Sequence, residues 1–197
     1  EEVPHNISIT PNLMGVPRTF SVSSDAQTQI SESATSASSK YTLSGRLPIM
    51  LYLTCNDDYL SPYQCLVRKS IEYFEANGVD VDSNAQGRNK PIVLGQVGIR
   101  CRHCSQLQLR ERRSAAVFYP SKLVGIYQAA QNMATTHLLE SCPSIPPDVR
   151  NHLSELRTAK SSTGGGKEYW ADTARALGVV EDDCGLRFQA FPVFPQH

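Results

Sequence analysis

No apolar run in this chain approaches the roughly 20 residues that cross a bilayer, so a helical membrane span is not expected. Net charge is also lacking: 19 basic side chains stand against 19 acidic ones across 197 residues. The estimated pI is 7.2. That balance argues against a protein whose main work is coating nucleic acid, because such affinity scales with the phosphates neutralised. Six cysteines are too few at this length for a secreted disulfide scaffold. Neither a Ser–His–Asp nor a Cys–His arrangement stands out, and no enzyme is expected. "TGGGK" at 163–167 lacks the first glycine and preceding strand of a phosphate loop, and Glu168 stands where Ser or Thr belongs. It reads as a linker. The chain begins with Glu rather than Met, which suggests a processed form or an excised segment.

Residues 1–45 lack hydrophobic periodicity and are rich in Ser and Thr, as in "SVSSDAQTQISESATSASSK". A segment that cannot bury enough apolar surface to offset its chain entropy is expected to be disordered. Order should begin near the apolar run "LPIMLYLTC", residues 47–55. Ser61, Pro62 and Gln64 have the pattern of a helix start with a capping box. Tyr63, Leu66, Val67, Ser70, Ile71 and Phe74 then recur at helical spacing, predicting a helix over 61–77 stopped by Gly78. Its outer face would carry Arg68, Lys69, Glu72 and Glu75. Residues 79–91 read as a polar connection.

"IVLGQVGIRC" reads as a strand, and "AVFYP" as a second one. Ser121 is placed to cap a long helix with Leu123, Ile126, Tyr127, Ala130, Met133, Ala134 and His137 on its buried stripe. Two more helices are expected, over 147–160 and 167–177, with Gly178 ending the second. The aromatic and Pro-rich tail, 189–197, is either a docked arm or the stub of something longer.

What is present in concentrated form is sulfur. Cys101 and Cys104 are two apart, and after a gap of 32 residues His137 and Cys142 follow in "THLLESC". A C-x2-C turn aims two thiolates at one point, and a His–Cys pair at a helix end closes the tetrahedron that Zn²⁺ prefers. Four protein ligands leave no open position for an activated water, so the expected zinc is structural. His103 should point away to the surface. Cys55, Cys65 and Cys184 are spare thiols, Cys65 packed inside, and His152 is exposed.

The pattern "RCRHC…THLLESCP" resembles the BED-type zinc finger, over residues 95–143. The insert between ligand pairs is longer than in that family, and the aromatics before its Cys pair are missing. The resemblance implies a ββα core and DNA binding. Residues 47–188 also resemble an uncharacterised diatom protein family, through "SPYQCLVRK", "GQVGIRCRHC", "YQAAQNM" and "GGKEYWADTARALG"; that likeness implies no function.

Between residues 95 and 142 there are six basic and two acidic side chains. Arg100, Arg102, Arg110, Arg112 and Arg113 would grip phosphates, with Lys122 and Gln128 on the first turns of the helix facing base edges. The expectation is therefore one α+β domain, residues 46–188, built on a Cys3His zinc site and binding nucleic acid, most readily DNA, in regulation. The alternative is a zinc-stabilised protein-interaction or structural subunit. A nuclear location accompanies the DNA reading. Neither a membrane nor a small-molecule substrate is expected as a partner.

Overall fold

The computed structural model describes residues 43–83, 90–159 and 166–189. The 1–45 arm and the 189–197 tail lie almost wholly outside these. The fold is α+β. Its centre is a four-stranded antiparallel sheet in the order β1 (Ile49–Met50), β2 (Ile71–Glu75), β3 (Val97–Cys101) and β4 (Val117–Phe118). Only β2 and β3 are five residues long; the edge strands have two each.

Strand β2 corrects the helix expected over 61–77. The capped helix exists, but as α2 (Pro62–Lys69), with the Ser61 hydroxyl accepting from the Gln64 amide at 3.3 Å. It stops at Ser70, whose hydroxyl donates back to the Leu66 carbonyl at 3.0 Å. Ile71, Tyr73 and Phe74 are β-branched or aromatic, and such residues suit a pleated, covered surface. Here they are paired on both sides: Ile49 faces Tyr73, and Tyr73 faces Ile99. Local periodicity thus lost to tertiary pairing. Gly78 is not a stop either. It opens a short helix, α3 (Gly78–Asp82), closed by a reciprocal capping box between Asn77 and Asp80, within the stretch expected to be a polar connection.

Alternation gives the sheet two unlike faces. Ile71, Tyr73, Val97, Ile99 and Cys101 look inward and are buried. Against them pack α4 (Gly125–Met133) and its continuation, a π-helical turn over Ala134–Leu138. The expected buried stripe is present, with Ile126, Ala130, Met133, Ala134 and His137 at 0 % exposure. Ser121 does not cap this helix, which starts four residues later. Its entry is fixed instead by the Glu181 carboxylate, which accepts from the Leu123 amide at 2.6 Å and complements the positive end of the helix dipole.

Helices α5 (Pro147–Thr158) and α6 (Lys167–Ala176) follow, close to expectation, with Leu153 and Trp170 fully buried. Gly178 ends α6 at φ +81°, a conformation that glycine reaches without a Cβ penalty. An unexpected hairpin comes next, β5 (Val179–Asp182) paired with β6 (Gly185–Phe188). It places Val179, Leu186 and Phe188 in the core.

Arg68 was expected on the outer face and is completely buried. Its guanidinium donates to the Leu51 carbonyl at 2.7 and 3.0 Å and to the Thr173 hydroxyl at 2.9 Å. It also lies 4.5 Å from the Trp170 ring centroid. Burial lowers its pKa, yet carbonyl dipoles and an aromatic face together hold the charge. Arg68 therefore joins α2, the β1 end and α6. Arg68→Ala should destabilise the fold by roughly 2–4 kcal/mol, since it opens a cavity and orphans the Leu51 carbonyl; urea unfolding monitored by Trp170 fluorescence measures it. Arg68→Lys should recover only part of the loss, because an ammonium lacks the planar fork.

Candidate metal centre and arginine cleft

Strand β3 delivers Cys101 at its last residue, and one 3-10 turn (Arg102–Cys104) brings Cys104 round to the same side. The turn is held because the Arg102 amide donates to Ser70 O at 3.1 Å and the Cys101 amide to Ala116 O at 2.9 Å. From the opposite side, the π-helical turn carries His137. Both Ser141 and Cys142 amides donate to the His137 carbonyl, at 3.0 and 2.7 Å, which curls the chain so that Cys142 comes back beneath the imidazole. Widened turns of this kind recur at functional positions in helices.

The four ligating atoms lie within 4.8 Å of one another, close enough to hold one metal ion, and all four residues are buried. Cys101 and Cys142 sulfurs are 3.7 Å apart, Cys104 and Cys142 sulfurs 3.3 Å, and Cys104 Sγ is 3.4 Å from His137 Nε2. A tetrahedron with Zn–S bonds of about 2.3 Å has S···S edges of about 3.8 Å, so donor set and spacing are compatible with a structural zinc. His137 Nδ1 lies 3.2 Å from Ser114 O. With the Nδ1 proton donated to that carbonyl, the Nε2 lone pair faces the sulfurs, as metal-ligating histidines require. Ala115, at φ +58°, occupies the left-handed region in the turn that presents this carbonyl.

In the absence of a cation the cluster favours neutral thiols. Burial pushes the Cys104 thiol up to about 11, helped by Cys142. Burial and then the other two thiols raise Cys101 further. Burial also lowers His137. Such a cluster resists ionisation by itself; a divalent cation is what makes thiolates favourable there. Three thiolates and a neutral imidazole around Zn²⁺ sum to one negative charge. Arg150, from the first turn of α5, donates to the Cys142 carbonyl and brings a positive charge beside the cluster. Sequence spacing gave no hint of Ser114 or Arg150, because both arrive by tertiary contact. His103, expected at the surface, is half-buried with an enclosed, unbonded Nε2.

The basic residues divide by location. Arg100, Arg110 and Arg112 line one cleft of about 520 Å³ beside α3, together with Asn77, Leu107 and Gln108. Arg100 Nε bonds Glu72 at 2.7 Å and its guanidinium lies 4.7 Å from the Phe74 ring centroid. Arg112 is anchored through Nε and Nη2 to the carbonyls of Leu107 and Ser105, at 2.9 and 3.0 Å. Arg110 is exposed. Arg102 sits elsewhere, on Lys69 O at 3.1 Å and the Met50 sulfur at 3.2 Å. Arg113 is exposed outside the cleft lining. Lys122 lines a second, apolar cleft of about 660 Å³ between β4, the start of α4 and α3. Gln128 is exposed on α4 and bonds Asn132 at 2.9 Å.

No family model, curated protein or solved structure matches this chain. Among the described residues no helix is long and apolar enough to cross a membrane.

Four outcomes test the centre. Elemental analysis of gently purified protein should find about one zinc per chain, and a strong chelator should unfold the domain, since closed sites contribute folding energy directly. His137→Ala or Cys101→Ala should do the same without chelator. Arg150→Ala should leave the fold in excess zinc but weaken metal retention about 10- to 100-fold, the usual scale for outer-sphere partners, as read by competition with a chromophoric chelator.

Proposed function

We propose that this chain is a zinc-stabilised nucleic-acid-binding domain that takes the phosphate backbone in the arginine cleft. One observation carries the reading: Arg100, Arg110 and Arg112, from a strand and from the loop after the Cys turn, converge on a single concavity. Arg112 has two of its three nitrogens tied to backbone carbonyls, and Arg100 is steadied by Glu72 and Phe74. Guanidiniums fixed in this way lose little freedom on meeting an anion, which is why Arg dominates planar phosphate recognition.

The same geometry argues against α4 as a groove-reading helix. Its stripe from Ile126 to His137 is spent on the sheet and the metal ligands, and α6 packs on another side. What remains exposed is a narrow, uncharged row, Val124, Gln128, Asn132 and Thr136. The zinc in this reading fixes the Cys turn and, through it, the loop bearing Arg110 and Arg112.

A second reading, a zinc-stabilised protein-interaction subunit, draws on the apolar cleft of about 660 Å³. Salt separates the two. Nucleic-acid affinity should fall with log salt at a slope of about −0.7 to −0.9 per phosphate neutralised. Arg110→Gln should make that slope shallower by about one phosphate, whereas Arg157→Gln on the far helix α5 should not. Binding that ignores salt, or no binding to any oligonucleotide, would favour the protein-partner reading.

A further inference from the structure

The two clefts are neighbours: Asp80 of α3 lines both. They are also joined through the outward face of the sheet. The Arg100 guanidinium stacks on Phe74, and the Phe74 ring packs on Tyr119 with centroids 5.5 Å apart. Tyr119 in turn lines the apolar cleft. Gly98 makes this stack possible, since a Cβ there would come within 2.9 Å of Phe74, Tyr119 and the Phe118 carbonyl. A charged cleft and an apolar one thus share a wall and a row of stacked side chains.

From this we infer that the ligand is single-stranded, with its phosphates on the arginines and one unstacked base in the apolar cleft against Phe118, Tyr119 and Val124. The inference rests on the nucleic-acid reading above and names the form of the ligand. Single-stranded binding characteristically combines a positive track for the backbone with apolar and aromatic surface for bases. A duplex offers phosphates but keeps its bases stacked, so it leaves the apolar cleft empty. At about 660 Å³ the cleft has room for a nucleobase and its sugar. Lys122 and Ser121 at its edge supply polar contacts. Asp80 accepts from the Asn77 amide at 3.0 Å and is nearly covered; it keeps its negative charge, and the three arginines of the neighbouring cleft outnumber it.

An extended peptide is the weaker fit. Strand β4, which borders the cleft, offers only Val117 and Phe118 as a free edge, and Pro120 follows closely without an N–H to donate. Strand addition needs a longer run of free backbone groups.

Fluorescence anisotropy on the zinc-loaded protein tests the inference with three labelled DNA probes of about 12 nucleotides, within the range such sites occupy. They are a mixed-sequence single strand, the same strand in duplex, and an abasic strand that keeps the phosphates. The single strand should bind about tenfold tighter than either of the others, on the scale of one stacked base. Val124→Trp fills the apolar cleft from a residue that is 39 % exposed, so it should fold normally. It should reduce the single strand to the abasic level. Lys122→Gln is the milder second variant and should lower single-strand affinity less.

Equal binding of all three probes, insensitive to Val124→Trp but weakened by Arg110→Gln, overturns the single-strand inference and leaves the phosphate reading standing. Binding to none of them at low salt overturns both. So does capture of a phosphopeptide bearing apolar residues when no strand binds.

Discussion

The centre of this fold's core is the burial of three thiols and an imidazole at one point. The point is where the end of β3 meets the end of the α4 helix, and both are central elements. Cys101 faces Ile71 across the sheet, and His137 follows Met133 and Ala134 on the stripe that covers the same sheet face. The ligands are therefore core residues as well as donors. Left as thiols, they put weakly bonded sulfur where close-packed hydrocarbon would do better. Ionised without a cation, they repel one another in a medium that screens little. A cation between them would relieve that repulsion, and a domain that closed its core around one would fold and bind metal as one cooperative unit.

That constraint decides what the rest of the chain is free to do. A helix committed to closing the core around the ligands has no broad face left for a partner. The inward sheet face is equally committed. The outward face remains, and it carries the cross-strand Glu72–Arg100 pair, Phe74 and, through the missing Cβ of Gly98, Tyr119. The Cys turn adds the loop with Arg110 and Arg112 to one side of it. A metal held at this cluster would, in the proposed reading, bear on recognition only indirectly, by setting where two arginines stand.

How much of this the sequence made legible follows from how local each feature is. The clustering of Cys101, Cys104, His137 and Cys142 was readable because their spacing encodes a turn and a helix end, both short-range structures. Helices α5 and α6 were readable through their prolines, glycines and apolar faces. The run 70–75 was not. Ser70, Ile71 and Phe74 satisfy a helical period, and the partners that make 71–75 a strand lie more than twenty residues away on either side in sequence, at Ile49–Met50 and Val97–Cys101. Arg68 went astray with that helix, since its burial depends on Leu51 and on Thr173 and Trp170 of α6, all distant in sequence. Ser121 looked like a cap because hydroxyls usually serve there, whereas Glu181 on an unforeseen hairpin does the work. That hairpin did leave a trace: "EDDCG" between Val180 and Leu186 is turn chemistry flanked by strand formers.

The arginines show the same distinction at the level of function. Counted along the sequence, five of them within fourteen residues look like one patch. In space the cluster comes apart. Arg102 braces the end of α2 through Lys69 O, and Arg113 lies outside the cleft lining, while Arg100, Arg110 and Arg112 share one concavity. Formal charge per segment therefore overstates what a partner meets, and the anchoring of Arg100 and Arg112 understates it in the opposite sense. Arg112, held by carbonyls, keeps its full charge, and Arg100 is partly offset by Glu72, while both have given up much of their side-chain entropy. For a neutral protein, which cannot rely on long-range attraction, a few pre-positioned donors in a cleft are a more selective route to an anion than a diffuse basic surface.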